Sequence, residues 1–266
     1  MSNAAMFYRE TAPSLEVAHL VLSFWEFTAQ SENPVPVTHE VFPDGCISLF
    51  YYRNKNADVN LLFINDLSLD TVKTQIYADD VYWGMRLSPS ACAKILRVNP
   101  SKIQSRPLIE PENFTHLIDG LLAKLNLCQN FEEAIKIYQT KIKSLELTVA
   151  DTDDKIAGAV RIIEENRGEV RISEIATMVG LSVRQLERRF RASAGLTPKQ
   201  YARARRIRAT AINLLEKSEM NWANRAAEMG FTDQAHLTHE FSTLTGRSPN
   251  SFADKVKRIE HGELVK

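Results

Sequence analysis

The sequence predicts an α+β chain: a β-rich amino-terminal region ending in helices, then an all-α region of two helix-turn-helix units joined by a long helix. Three observations predict it. First, a pattern recurs about fifty residues apart. Ile175-Ala176, Gly180-Leu181-Ser182, Leu186, Phe190, Gly195, Pro198 and Tyr201 are matched by Ala226, Gly230-Phe231-Thr232, Leu237, Phe241, Gly246, Pro249 and Phe252, with one residue of slip after the first glycine. An Ala followed four residues on by a turn Gly and a newly capped helix is how a helix-turn-helix is written. Second, the first half holds short β-branched and aromatic runs bounded by turn residues. Third, Lys199–Leu215 keeps a helical apolar stripe of Tyr201, Ala204, Ile207, Ala211 and Leu214/Leu215 without a break.

Composition bounds the function. With 266 residues, 44% hydrophobic and 25% charged, the chain can bury two ordinary cores. The net charge of zero hides an asymmetry: residues 1–150 carry 13 Lys and Arg against 17 Asp and Glu, whereas 151–266 carry 20 against 16. Nine Lys and Arg fall within 181–210 against one acid, Glu187. Such a stripe suits polyphosphate binding through counterion release. Cys46, Cys92 and Cys128 have no C-x-x-C spacing and read as buried thiols of a reducing cytoplasm. No apolar run reaches membrane-spanning length. Met1–Ala4 reads as an expression-vector remnant.

In chain order, Val17–Phe27 is apolar and aromatic, Val41–Gly45 is a turn, and Cys46–Tyr52 reads as a buried strand. Leu61–Ile64, Thr71–Tyr77 and Val81–Leu87 read as further strands. Ser88 and Pro89 are placed at the N-cap and first position of a helix. Two amphipathic helices follow between Phe114 and Leu145, broken near Asn126–Asn130. The boundaries predicted are an amino-terminal domain at 1–146, a polar linker at 147–154 and a helical domain at 155–260.

In the helical region Ile156, Ala159, Val160 and Ile163 share one face of a helix that Gly168 ends. Ser182 and Gln185 form a capping box. With Leu186, Phe190 and Ala194 inward, Arg184, Glu187, Arg188 and Arg191 face out. Outward arginines at the front of such a helix either pair with guanine O6/N7 or touch only phosphates. Glu187 either accepts from a cytosine amine or orients Arg188 or Arg191. Lys199 opens the long helix, with Arg203, Arg205, Arg206 and Arg208 along its flanks. Its length approaches the spacing of successive major-groove faces, so double-stranded DNA is the partner expected. In the second unit Gln234, His236 and His239 point out as neutral groove donors, with no metal site among the histidines.

These residues resemble the carboxy-terminal domain of the AraC/XylS family of bacterial transcription regulators. The resemblance covers about 155–260 and is densest from Gly230-Phe231-Thr232-Asp233-Gln234-Ala235-His236 through Phe241, Gly246-Arg247-Ser248-Pro249 and Phe252. Three positions depart from the family pattern: His239 replaces a frequent Arg, Ser242 a basic residue, and Arg225 an aliphatic one. The amino-terminal half resembles an uncharacterised sensor domain attached to some members, on Phe24-Trp25, Phe42-Pro43-Asp44-Gly45-Cys46 and Trp83–Pro89. The resemblance implies a sequence-specific regulator with an amino-terminal part that binds an unknown small-molecule effector and forms a homodimer. RNA polymerase is a further partner if the protein activates.

Asp44, Tyr52, Trp83 and Arg86, with Tyr51, either line a pocket in which Arg86 pairs an anionic effector, or are core aromatics with Arg86 tying down a loop. The sequence shows no nucleophile elbow, metal-ligand cluster, phosphate loop or paired catalytic carboxylates. It is therefore read as no enzyme, with no cofactor. The rival reading is an enzyme or DNA-repair fusion with 1–146 catalytic.

Overall fold

The computed structural model describes residues 5–30, 36–65, 67, 69–103, 108–109, 114–147, 152–256, 259–261 and 264. The opening tetrapeptide and half of the linker, 148–151, lie outside them. Strands β1 (Ala5–Thr11), β2 (Val21–Gln30), β3 (Val37–Val41), β4 (Ser48–Asn54), β5 (Val59–Asn65), β6 (Val72–Ile76), β7 (Asp80–Leu87), β8 (Leu108–Ile109) and β9 (Ile259–His261) make two sheets. The larger runs β8-β5-β4-β7-β2-β1-β9, and β3 pairs with β6 in the smaller. Every pairing is antiparallel except β1 with β9. The chain's fold class is α+β, a β-rich region followed by a helical one.

Alternation along the strands sends one set of side chains to each face. Leu49, Tyr51, Trp83, Met85 and Leu87 face helices α3 (Leu121–Leu127) and α4 (Phe131–Lys143), where Leu121, Leu125, Phe131, Tyr138 and Ile142 complete the main core. The short helix α2 (Thr115–Ile118) adds Leu117. Asn130 starts α4 by accepting the Glu133 N–H at 2.9 Å. The opposite face carries Met6, Phe27 and Ala29, with Tyr8, Trp25 and Tyr82 around them.

This alternation overturns the effector pocket expected from Asp44, Tyr52, Trp83 and Arg86. Trp83 and Arg86 stand three residues apart on one strand, so they point to opposite faces. Trp83 is 2% exposed and donates its indole N–H to Glu26 at 2.9 Å. Tyr52 pairs across the sheet with Tyr82 and donates to Asp80. Arg86 and Asp44 do meet, at 2.6 Å, but as partners of each other. The reading of core aromatics with a tethering arginine is the one the structure follows.

The helix expected from Ser88-Pro89 begins later. The Ser88 N–H extends the strand by bonding the Leu20 carbonyl at 2.8 Å, and the Ser88 carbonyl accepts the Ala91 N–H. These four residues are a turn, and α1 starts at Cys92 and runs to Leu96. Cys46, Cys92 and Cys128 are buried free thiols, and burial pushes Cys46 up to about 12, which leaves it unreactive. Among the described residues no helix is long and apolar enough to cross a membrane.

Helices α5 (Asp154–Glu165), α6 (Ile172–Met178), α7 (Val183–Ala194), α8 (Pro198–Glu216), α9 (Trp222–Glu228), α10 (Gln234–Thr245) and α11 (Pro249–Val256) follow. They enclose two cores, and the amino-terminal half contributes to both. Cys46 and Leu22 enter the first; Phe42 and Leu69 enter the second; in return Leu196 enters the sheet core. Ile259–His261, expected within the helical region, return instead to the sheet as β9.

Gly84 makes room for an indole: a Cβ there would stand 2.0 Å from the Trp25 ring. Gly84→Ala should therefore lower unfolding stability by about 1–3 kcal/mol through overpacking. Urea denaturation checks this, and an unchanged midpoint would show that Trp25 moves aside freely.

Candidate nucleic-acid interface

Each helix-turn-helix is built by local chemistry. In the first, α6 ends at Gly180, whose φ of 64° suits glycine. The Leu181 N–H then reaches back to the Ala176 carbonyl at 2.8 Å. Ser182 and Gln185 close the expected capping box at the start of α7, and Thr197 with Gln200 repeats it for α8, with Pro198 in the first turn. In the second, Gly230 turns the chain at φ 69° and Asp233 caps α10 by accepting the His236 N–H at 2.7 Å.

The inward face of α7 is Leu186, Phe190 and Ala194, and that of α10 is Leu237, Phe241, Leu244 and Thr245. Arg184, Glu187, Arg188 and Arg191 are exposed on the outer face of α7, and Lys199 is exposed at the start of α8. Spacings of three and four put the three arginines on one stripe. Among the described residues none of these four cations has an ion pair. Glu187 has none either, so the expected orientation of Arg188 or Arg191 by Glu187 has no contact behind it.

The rest of the basic stripe is consumed by the protein itself. Arg189 meets Asp153 at 2.6 Å, and Arg203 grips Glu240 of α10 through two nitrogens at 2.7 and 3.3 Å. Arg205 is buried against Glu164 of α5, Arg206 donates to backbone carbonyls, and Arg208 reaches Glu10 of β1. Five of the nine cations counted in 181–210 are structural. Sequence reasoning could not see this because the acids that pair with them lie tens of residues away.

Superposing the patterns by Leu186 on Leu237 shifts the second recognition helix by one residue. Arg184, Arg188 and Arg191 then correspond to Ala235, His239 and Ser242. Gln234 and His239 are exposed as expected. His236 is not a free groove donor: it is half-buried, its ring meets Phe231 edge-on at 5.5 Å, and its Nδ1 accepts the Thr232 N–H at 3.2 Å. It stands where Gln185 stands in the first unit and serves the start of its helix in the same way. Arg225, one of the three departures from the family pattern, is buried entirely. It donates to the Lys217 and Met220 carbonyls at 2.7 and 3.1 Å, tying off the end of α8.

The helical half also leans on the sheet through charge. Glu10 receives Arg86 at 3.1 Å and Arg208 from α8. Burial alone would raise this carboxyl, but the two guanidinium groups outweigh it and hold it at about 2. Glu40 of β3 accepts from Arg247, which follows α10, and from Lys255 of α11; the Arg247 hydrogen bonds, against the opposing effect of burial, hold it at about 2. Ser193 of α7 donates to the Pro89 and Ser90 carbonyls at 2.9 and 2.8 Å.

Two capped helix-turn-helix units on one α8 strut, the first with a bare arginine stripe, define a tandem DNA-binding domain. A family model described as a helix-turn-helix domain matches residues 175–255, and a domain of unknown function, DUF6597, matches 9–108. Over residues 175–255 the chain is similar to AraC-type helix-turn-helix domains. The Msm operon regulatory protein of Streptococcus mutans is 26% identical over 125 residues, which are 47% of this chain and 45% of that protein. The chain thus spans less than half of the curated relative it matches. An AraC-type regulator structure from Chromobacterium violaceum is 26% identical over 38% of this chain and 91% of that one, with a TM-score of 0.35. ToxT from Vibrio cholerae O395 is 12% identical over 95% of this chain and 97% of that one, with a TM-score of 0.42.

Both buried carboxyls ordinarily titrate at 4.5 and sit at about 2 in the folded protein. Their stabilisation is complete above pH 4.5 and is lost as the pH falls through about 2. Acid titration followed by circular dichroism should therefore show the wild type weakening below pH 4.5. Glu10→Gln, which takes the carboxylate from Arg208 and leaves Arg86 with the Asp44 carboxylate alone, should cost about 3–5 kcal/mol at neutral pH and show a shallower acid dependence. An acid profile identical to wild type would mean the carboxylate is not what holds α8 to the sheet.

Proposed function

We propose that the protein is a sequence-specific, DNA-binding transcription regulator of the AraC/XylS type, whose α7 and α10 enter consecutive major-groove windows. The observation that carries this reading is the stripe of Arg184, Arg188 and Arg191: three exposed cations without ion pairs on a recognition helix whose neighbouring arginines are all committed to protein. Unpaired guanidinium groups at the front of α7 have the fork geometry for guanine O6/N7. Lys199 supplies a phosphate contact at the start of α8. In the second unit Gln234 and His239 offer hydrogen bonds with little charge, so the first unit contributes most of the electrostatic affinity and the second refines it. The 19-residue α8 is about 28 Å long, which suits windows about one duplex turn apart.

Residues 1–146, joined through 147–154, are on this reading the regulatory part: the binding place of a small-molecule effector and the seat of homodimerisation. What supports a regulatory role is the bracing of the helical half by both sheets, through Glu10 of the larger to α8 and through Glu40 of the smaller to the segment after α10. A ligand that strained either sheet would be felt at the brace it carries.

Arg188→Ala should retain the wild-type melt, since the side chain is exposed, and lose about 1–3 kcal/mol of discrimination. The check is a gel shift on DNA selected by the wild type from a random duplex pool, against a scrambled duplex. Lys199→Ala should weaken both duplexes alike and reduce the salt slope by about one. Undiminished preference in Arg188→Ala would overturn the assignment of α7 as reader.

A further inference from the structure

The turn that leads into the first unit touches the turn within the second, and one side chain lies under both. Gly168, which closes the chain after α5 at φ 77°, packs so tightly on α8 that a Cβ would stand 2.1 Å from the Ala202 carbonyl oxygen. Gly230, the turn residue of the second unit, is covered by the next residue of the first: a Cβ there would stand 1.9 Å from the Glu169 carboxyl carbon. Beneath this junction Arg206 of α8 donates Nη2 to the Gly168 carbonyl at 2.9 Å and Nη1 to the Gly230 carbonyl at 3.5 Å. Its guanidinium also rests over the Phe231 ring, 5.4 Å from the centroid. Phe231 belongs to the core of the second unit.

A helical strut sets how far apart two units stand, and the apolar packing of each core on it leaves only a residual rotation of one unit against the other. A planar fork that binds one backbone carbonyl from each unit removes that rotation, because both bonds must be satisfied in one plane. The neighbouring contacts do not do this: Arg203 ties α8 to α10 alone, and Arg205 ties it to α5 alone. Among the described residues Arg206 is the guanidinium that donates to both units.

We infer that Arg206 is a positioning residue that locks the angle between α7 and α10, and thereby sets the number of base pairs tolerated between the two windows. The inference rests on the reading of both units as DNA contacts, but its first consequence needs no DNA. Without the fork the two units hinge at the Gly168–Gly230 junction while their cores stay intact. The DNA then no longer has to match one fixed separation.

Two measurements on the full chain test this. Spin labels on cysteines introduced at exposed Ala192 of α7 and Thr243 of α10 report the distance between the units; the native thiols are buried and stay unlabelled. The wild type should give one narrow distribution. Arg206→Gln should keep a cooperative melt and give a distribution about twofold broader, and Arg206→Lys, with a point charge that serves one carbonyl at a time, should fall between. On duplexes selected by the wild type, one base pair inserted between the windows should cost the wild type at least about tenfold in affinity, and Arg206→Gln much less. An unbroadened distribution in both variants, or an insertion penalty equal to the wild type's, overturns the inference. Should Arg206→Gln melt without cooperativity, Arg206→Lys carries both comparisons. Failure of the wild type to select any duplex would sink the DNA reading, while the distance distributions would still decide whether Arg206 locks the angle.

Discussion

The geometry of the helical half depends on burying guanidinium groups along α8. Arg203, Arg205, Arg206 and Arg208 leave one helix in four directions, to α10, to α5, to the paired turns and to β1. Charges taken out of water return little net stability, since their attraction is largely offset by lost hydration. What they impose is direction: a fork misplaced by an ångström leaves a buried charge without a partner, and that arrangement is heavily penalised. Apolar packing holds each core together; these four side chains decide how the cores are oriented. The orphaned Nη1 of Arg205 and Nε of Arg206 show that the arrangement is not fully satisfied even so.

The division of labour between cations follows from the same physics. On α7 the inward positions are filled by Leu186 and Phe190, so the outer arginines have no nearby protein to meet and remain in water. Between Arg203 and Arg208 the flanks of α8 face other elements, so those arginines are consumed. The same residue type thus stays in water on one helix and supplies internal bracing on the next, according to what surrounds the helix.

Legibility in the sequence followed range. Features set within a few residues were readable: the capping box of Ser182 and Gln185, the turn at Gly180, the uninterrupted α8, and the inward leucine and phenylalanine of the second helix in each unit. The strands β4, β5, β6 and β7 were readable to within a few residues because their aromatic and β-branched runs are dense, whereas the run that holds β2 showed its apolar and aromatic character without being assigned as a strand. Strands β1 and β3 were not, since AMFYRET and VTHEV mix polar and apolar residues without marked alternation. The proposed pocket failed on a rule the sequence did contain, because residues 83 and 86 differ by an odd number on one strand. The true roles of Arg205, Arg206 and Arg208 were out of reach, because Glu164, Gly168, Gly230 and Glu10 lie far off in the chain. Likewise the role of His236 emerged only once the one-residue slip put it in the place of Gln185.

The return of Ile259–His261 to lie beside β1 has a consequence for how the molecule is assembled. The edge strand beside β1 is synthesised only after the described helices that bind the other half, so β1, paired with β2 on one side, waits with the backbone donors and acceptors of its other side bare throughout that interval. An uncovered strand edge invites pairing with foreign chains. A chain cut just short of this segment would keep both helical cores and the rest of the large sheet, with a sticky margin prone to association.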